Sequence, residues 1–307
     1  MTIRIGIIGL GSIAEKAYLP LLAAHPGVEI AGIMSRRKET VERIGRQYRI
    51  GHRYTQLSSL LRRGLDAVFV HTPTETHGEI VKECLRHGVH VYVDKPLSLE
   101  IKESLQMTEM ADKRGKLLAV GFNRRFAPLY VEAKAWLEEA GGFDQCIAQK
   151  HRTRTQHSPA RETLYDDLIH MLDLLLWLGC GSHGLSGYFQ KDDELGRLLQ
   201  ASGSLSWGGS TGYFSMNRQA GGDLERLELH GGGRSAEVVN LESGVFRDRT
   251  GGETNRRFGS WETVLERRGF AGAVEHFLAC LERPEACQIR AEQTLPTHFL
   301  LEKLVRG

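Results

Sequence analysis

The chain has 307 residues, 41% of them hydrophobic and 25% charged, with 40 Lys and Arg against 38 Asp and Glu for a formal charge of +2. This is globular material long enough for two domains, and its charge balance gives no electrostatic case for nucleic acid or a membrane surface as partner. The five cysteines (Cys84, Cys146, Cys180, Cys280, Cys287) are scattered and form no CxxC pair, so reduced buried thiols in a cytoplasmic protein are expected and a metal site is not.

The chain opens MTIRIGIIGLG straight into a strand pattern, without the apolar segment and small-residue cleavage site of a signal peptide. No apolar run approaches the roughly 20 residues of a membrane span. Over residues 1–121, strand candidates IRIGIIG (3–9), EIAGIMS (29–35), DAVFVHT (66–72), VHVYVD (89–94) and KLLAVGF (116–122) alternate with helical patterns such as 78–88 and 98–115. Several of these strands are apolar on both faces, which a parallel sheet covered by helices on both sides requires. The expected fold class is α/β, with an N-terminal doubly wound parallel sheet.

From residue 122 the grammar changes. A helix pattern (127–140) leads to a strand (145–155) and a very apolar helix (162–179). Glycine-punctuated runs follow, from LSGYFQKD (185–192) to SAEVVNLESG (235–244), and then a helix over 270–284. Strands joined by tight turns predict a large open, mostly antiparallel sheet with helices on one face, an α+β domain over 122–307.

GLGSIA (9–14) follows the first strand and opens a helix. Gly9 permits a tight turn, Gly11 lets backbone approach a pyrophosphate, and Ala14 stands where a third glycine often sits. Ser12 and Ile13 lie at the helix N-terminus, whose free N–H groups favour anions. The context makes residues 1–121 an NAD(P)-binding Rossmann domain. An NAD site usually ends its second strand with a carboxylate for the ribose hydroxyls. This chain has Ser35-Arg36-Arg37-Lys38 there, so Ser35 and Arg36 are expected to hold a 2′-phosphate. NADP(H) is favoured, with NAD(H) the alternative.

In 162–179 the polar residues are few. Asp166, His170 and Asp173 recur at i, i+4 and i+7, which puts them on one face of a regular helix. His170 flanked by carboxylates suits an oriented acid–base histidine, and Asp166, Asp167 and Asp173 are all within reach of it. Such a histidine also occurs as a satisfied core residue.

Four motifs in order resemble the Gfo/Idh/MocA oxidoreductases, the glucose–fructose oxidoreductase and inositol dehydrogenase family. They are GLGSIA, TPTETH (72–77) for the family's TPxxxH, VDKP (93–96) for its EKP, and DDLIHMLD (166–173) for its DxGxHxxD. GFNRRFAPLY (121–130) and SWETVLERRGF (260–270) bring the chain nearest to the MviM-type subgroup. The resemblance implies that Lys95 projects into the site beside the nicotinamide, that the 95–96 peptide is cis, and that Asp166 and His170 complete the catalytic set. Thr72, Pro73, His77 and Asp94 are then expected around the cofactor. Two positions depart from the family pattern, Asp94 in place of Glu and Leu168 in place of Gly.

The reaction implied is hydride transfer between nicotinamide and a hydroxyl or carbonyl carbon of a small sugar, polyol or sugar-acid-like substrate. Lys95 and His170 are its acid–base groups, and which one is the formal base stays open. Two alternatives on the same scaffold are a lyase or hydrolase using transient nicotinamide oxidation, and a non-catalytic NADP(H)-sensing protein. On 145–155 strand alternation puts Lys150, Arg152 and Arg154 on one face. With Arg124 these are candidates for binding an acidic substrate, or for a subunit interface. The family's sheets pair into homodimers and homotetramers, so an oligomer is expected.

Overall fold

The computed structural model describes residues 2–179 and 181–306. The chain forms two compact units. One comprises the residues through Phe122 together with Ala273–Leu295, and the other comprises Asn123–Gly272 together with the residues from Pro296 on. The sequence division at 121/122 assigns all of 122–307 to one domain; Ala273–Leu295 instead pack with the first unit. Among the described residues no helix is long and apolar enough to cross a membrane.

The first unit is built on a six-stranded sheet of β1 (Ile3–Ile8), β2 (Val28–Met34), β3 (Arg53–Tyr54), β4 (Ala67–Val70), β5 (His90–Val93) and β6 (Leu118–Val120), in the order β3-β2-β1-β4-β5-β6. All its pairings are parallel. The edge strand β3 has only two residues, too few to show a hydrophobic period. Every residue of β4 is buried and so is the end of β1, as helical cover on both faces demands. Phe277, returned by Ala273–Leu295, sets its ring 5.4 Å from both Phe69 and Tyr92. Val120 N–H donates to Ile289 O at 2.8 Å, tying the same segment to the sheet edge.

The second unit holds an eight-stranded sheet ordered β14-β13-β12-β11-β7-β10-β9-β8. Its strands are β7 (Gln145–His151), β8 (Gly184–Asp192), β9 (Leu198–Trp207), β10 (Ser210–Asn217), β11 (Leu224–Gly231), β12 (Arg234–Val239), β13 (Ser243–Asp248) and β14 (Glu253–Arg257). Only the β7–β10 pairing is parallel. Along β7 buried and half-buried residues alternate, the mark of a sheet covered on one face. Helices Pro128–Glu138 and Ile169–Leu178 supply that cover. The strand stops at His151, short of the expected 155, because its neighbours end there: Asn217 of β10 and Leu224 of β11 both pair with His151.

Candidate functional site

Register brings the predicted nucleotide residues of the first unit to one edge. Ile8 pairs with Met34 and Val70, Val70 with Val93, and Val93 with Val120, so five strands end level. The next residues continue the ladder: Gly9 N–H donates to Met34 O, His71 N–H to Ile8 O, Asp94 N–H to Val70 O and Gly121 N–H to Val93 O, all at 2.8–3.0 Å. In this strand order the direction of winding reverses between β1 and β4, where open α/β sheets bind ligands at the carboxyl edge. Gly9 has φ +86°, and a Cβ there would lie 2.7 Å from the His71 carbonyl and the Thr72 nitrogen. A Cβ on Gly11 would meet nothing within 4 Å, so that face is open to a ligand. Ser12 and Ile13 are exposed, and the helix they begin has a π-turn over Ala14–Tyr18. A dinucleotide's pyrophosphate fits this cradle, with its glycine turn and free helical N–H groups.

At the end of β2, Ser35 is half-buried while Arg36 and Arg37 are exposed, and among the described residues neither arginine has an ion-pair partner. Thr72 and Pro73 begin the turn after β4, where Thr76 Oγ1 donates to Thr72 Oγ1 at 2.8 Å or to Pro73 O at 2.7 Å. His77 is buried between backbone oxygens. Its Nε2 lies 3.0 Å from Thr72 O and its Nδ1 3.0 Å from Pro96 O, so the neutral ring sits between the two loops and donates its one N–H to one of them. Burial pushes its pKa down against the pull of those carbonyls.

Asp94 and Lys95 are half-buried, and the Lys95–Pro96 peptide is cis. Asp94 turns its carboxylate inward. Tyr18 Oη donates to Oδ1 at 3.2 Å, and His71 Nδ1 lies 3.4 Å from Oδ2. Tyr18 stacks on His71 at 4.0 Å between centroids. Burial, with Asp94 beside it, raises the Tyr18 pKa well above that of an ordinary phenol.

The second unit gathers a buried set of charges around β7. Arg124 donates from Nε and Nη2 to the two carboxylate oxygens of Glu225, each at 3.0 Å, and its Nη1 lies 3.3 Å from His170 Nε2. An arginine only donates, so this contact requires a lone pair on Nε2. Lys150 and Arg218 both pair with Asp167. Lys150 Nζ and Arg152 Nη2 lie 3.9 and 3.8 Å from Glu225 Oε2. Four cations therefore surround two carboxylates. Burial and the neighbouring Arg124 lower the Lys150 pKa to about 8 despite those carboxylates. Burial pushes Glu225 up, but Arg124 and Lys150 outweigh it and hold the group at about 2.

Residues 3–122 match the model described as "Oxidoreductase family, NAD-binding Rossmann fold", and residues 128–247 match the YceM-like C-terminal domain. The YceM protein of Salmonella typhimurium is 36% identical over 99% of this chain and 98% of its own length. The chain belongs to the Gfo/Idh/MocA oxidoreductase family. A crystal structure of the dehydrogenase MviM from Clostridium difficile, 34% identical, superposes with a TM-score of 0.94 over 100% of this chain and 99% of the other. The scyllo-inositol 2-dehydrogenase (NAD⁺) of Bacillus subtilis is 29% identical over 80% of this chain and 73% of its own. This Gfo/Idh/MocA protein is an NAD(P)-dependent oxidoreductase.

The expected polar face of this family member's helix 162–179 is broken up. A π-turn over Leu164–Leu168 interrupts the helix, and the extra residue rotates what precedes His170. Asp166 is exposed and accepts from Gln156 Nε2 at 2.8 Å. Asp173 accepts from Arg125 at 2.6 and 2.9 Å and from Thr297 Oγ1 at 3.0 Å, a structural brace inside the unit. Of the basic face expected on β7, Lys150 is buried and Arg152 reaches Glu225 from beyond the strand end. Arg154 has an exposed side chain, and its carbonyl accepts from Arg218 Nε at 3.1 Å. Sequence reasoning missed Glu225 and Arg218. Both lie on or beside strands whose pairing with β7 has no local signal.

Proposed function

We propose that this oxidoreductase uses NADP(H) in preference to NAD(H) and interconverts a CH–OH group and a carbonyl on a small sugar, polyol or sugar-acid-like molecule. The observation that carries the reading is the level carboxyl edge, at which the Gly9–Ala14 turn, Ser35-Arg36, Thr72-Pro73 and Asp94-Lys95 follow strands in register. In this reading Gly9, Gly11, Ser12, Ile13 and Ala14 hold the pyrophosphate, and Ser35 with Arg36 takes the 2′-phosphate. When bound, the cofactor supplies or accepts the hydride.

Lys95 hydrogen-bonds the reacting oxygen and stabilises the negative charge that builds on it, while His170 takes or gives the hydroxyl proton. Asp166, exposed beside Gln156, orients a neighbouring substrate hydroxyl. With Asp223 near Arg152 and Arg218, four cations face three carboxylates, and the remaining positive charge favours substrates that carry an acidic group. The relative named for scyllo-inositol supports a polyhydroxylated one.

The test is kinetic. Lys95→Ala and His170→Ala should each lower kcat by about 10²–10⁴-fold with NADPH affinity nearly intact. Cofactor binding lost in either variant, or turnover unchanged, would overturn the assignment.

A further inference from the structure

We propose that His276, Cys280 and Cys287 form a binding site for one thiophilic divalent cation, zinc above others, at the C-terminal end of helix Phe270–Ala279. All three residues belong to the first unit and play no part in the proposed chemistry. The linear sequence hides the site, because its ligands follow no zinc-finger spacing. His276 and Cys280 are one helical turn apart and so share a face. The turn Pro284–Ala286 then brings the chain back to present Cys287.

The geometry suits a metal. His276 Nε2 and Cys280 Sγ lie 3.8 Å apart, and the three donor atoms all lie within 4.8 Å of one another. A tetrahedral zinc with ligands at about 2.1 Å (N) and 2.3 Å (S) sets its N···S and S···S edges at about 3.6–3.8 Å. Small side-chain shifts close the difference.

Two further features favour a cation over an ordinary thiol pair. Gln288 N–H donates to His276 Nε2 at 2.8 Å, so that nitrogen carries a lone pair, the state in which histidine ligates; a cation would replace this one hydrogen bond. The helix end contributes the partial negative charge of its last carbonyls. Cys280 and Cys287 are buried and His276 is half-buried, so water completes a fourth position from the histidine side.

The test uses the full chain, reduced and stripped with a chelator. Competition against a chromogenic zinc indicator should give one zinc per chain. Cobalt(II) should produce sulfur-to-metal charge-transfer absorption with the visible bands of a tetrahedral ion. Cys280→Ser, Cys287→Ser and His276→Ala should each weaken zinc binding by more than about tenfold, and Cys84→Ser should not. Zinc should raise the melting temperature of the wild type and of Cys84→Ser alone. The cobalt spectrum of the wild type tests the site even if a variant fails to fold. The proposal fails if reduced wild type takes up no stoichiometric metal, if cobalt shows no sulfur ligation, or if uptake survives both cysteine variants. It fails equally if the only event at these residues is a Cys280–Cys287 disulfide, seen as the loss of two hydrogens in the intact mass.

Discussion

In the proposed reading, Arg36 is the residue on which cofactor choice turns. Its side chain is exposed at the tip of β2 and, among the described residues, has no hydrogen bond or ion pair to give up when a phosphate arrives. A hydrogen bond to a charged group contributes about 1.5–3 kcal/mol. Arg36→Asp should therefore weaken NADPH binding by roughly tenfold or more and leave NADH binding unchanged or improved. Titration by tryptophan quenching with both nucleotides separates the outcomes. Equal loss for the two would make Arg36 a structural residue. At this scale the sequence was informative where chemistry is local. A histidine in an otherwise apolar helix stands out in any reading, and so does a glycine turn after a strand. It was uninformative where partners come from far along the chain. Asp167 looks interchangeable with Asp166 until Lys150 and Arg218 reach it from separate parts of the second unit.

Among the elements, β5 and β6 meet through a contact that acid should break. His90 Nδ1 accepts from Leu117 N–H at 2.9 Å, so the ring must be neutral there. Burial, aided by Lys116 and opposed by Asp66, lowers the His90 pKa to about 4. An unfolded histidine titrates near about 6.5, so between these values the unfolded chain binds the proton and the folded chain does not. The stability from this contact is thus complete above about 6.5 and is lost as pH falls towards about 4. Chemical unfolding of wild type and His90→Gln at a series of pH values should show a wild-type advantage at pH 7 that shrinks on acidification. A gap that stays constant with pH would show that the ring's ionisation does not matter. The types of most elements were legible from periodicity. The π-turn was not, because one residue of register slip inside a helix leaves the hydrophobic pattern nearly unchanged, yet it decides which aspartate faces Lys150.

For the whole molecule, the division of the chain was legible only in part. The change of grammar at residue 122 is plain, but a helix near the other end carries no mark of which core it will join. Phe277 packs against Phe69 and Tyr92 in the first unit, and removing such a ring costs about 3–5 kcal/mol, a large share of the roughly 5–15 kcal/mol that holds a domain folded. Residues 1–122 expressed alone should accordingly be loosely packed, with dye-binding apolar surface and poorly dispersed amide spectra. Adding a peptide spanning 273–295 should restore dispersion, and a well-ordered 1–122 fragment would contradict this account. The closure of the first unit by Ala273–Leu295 also bears on synthesis. Domains near the N-terminus generally fold while the rest of the chain is still being translated. Here the nucleotide-binding unit must wait on the ribosome until its last segment has emerged. A polypeptide stalled before residue 273 would therefore hold an unfinished core, which marks it for proteolysis before it can sequester cofactor.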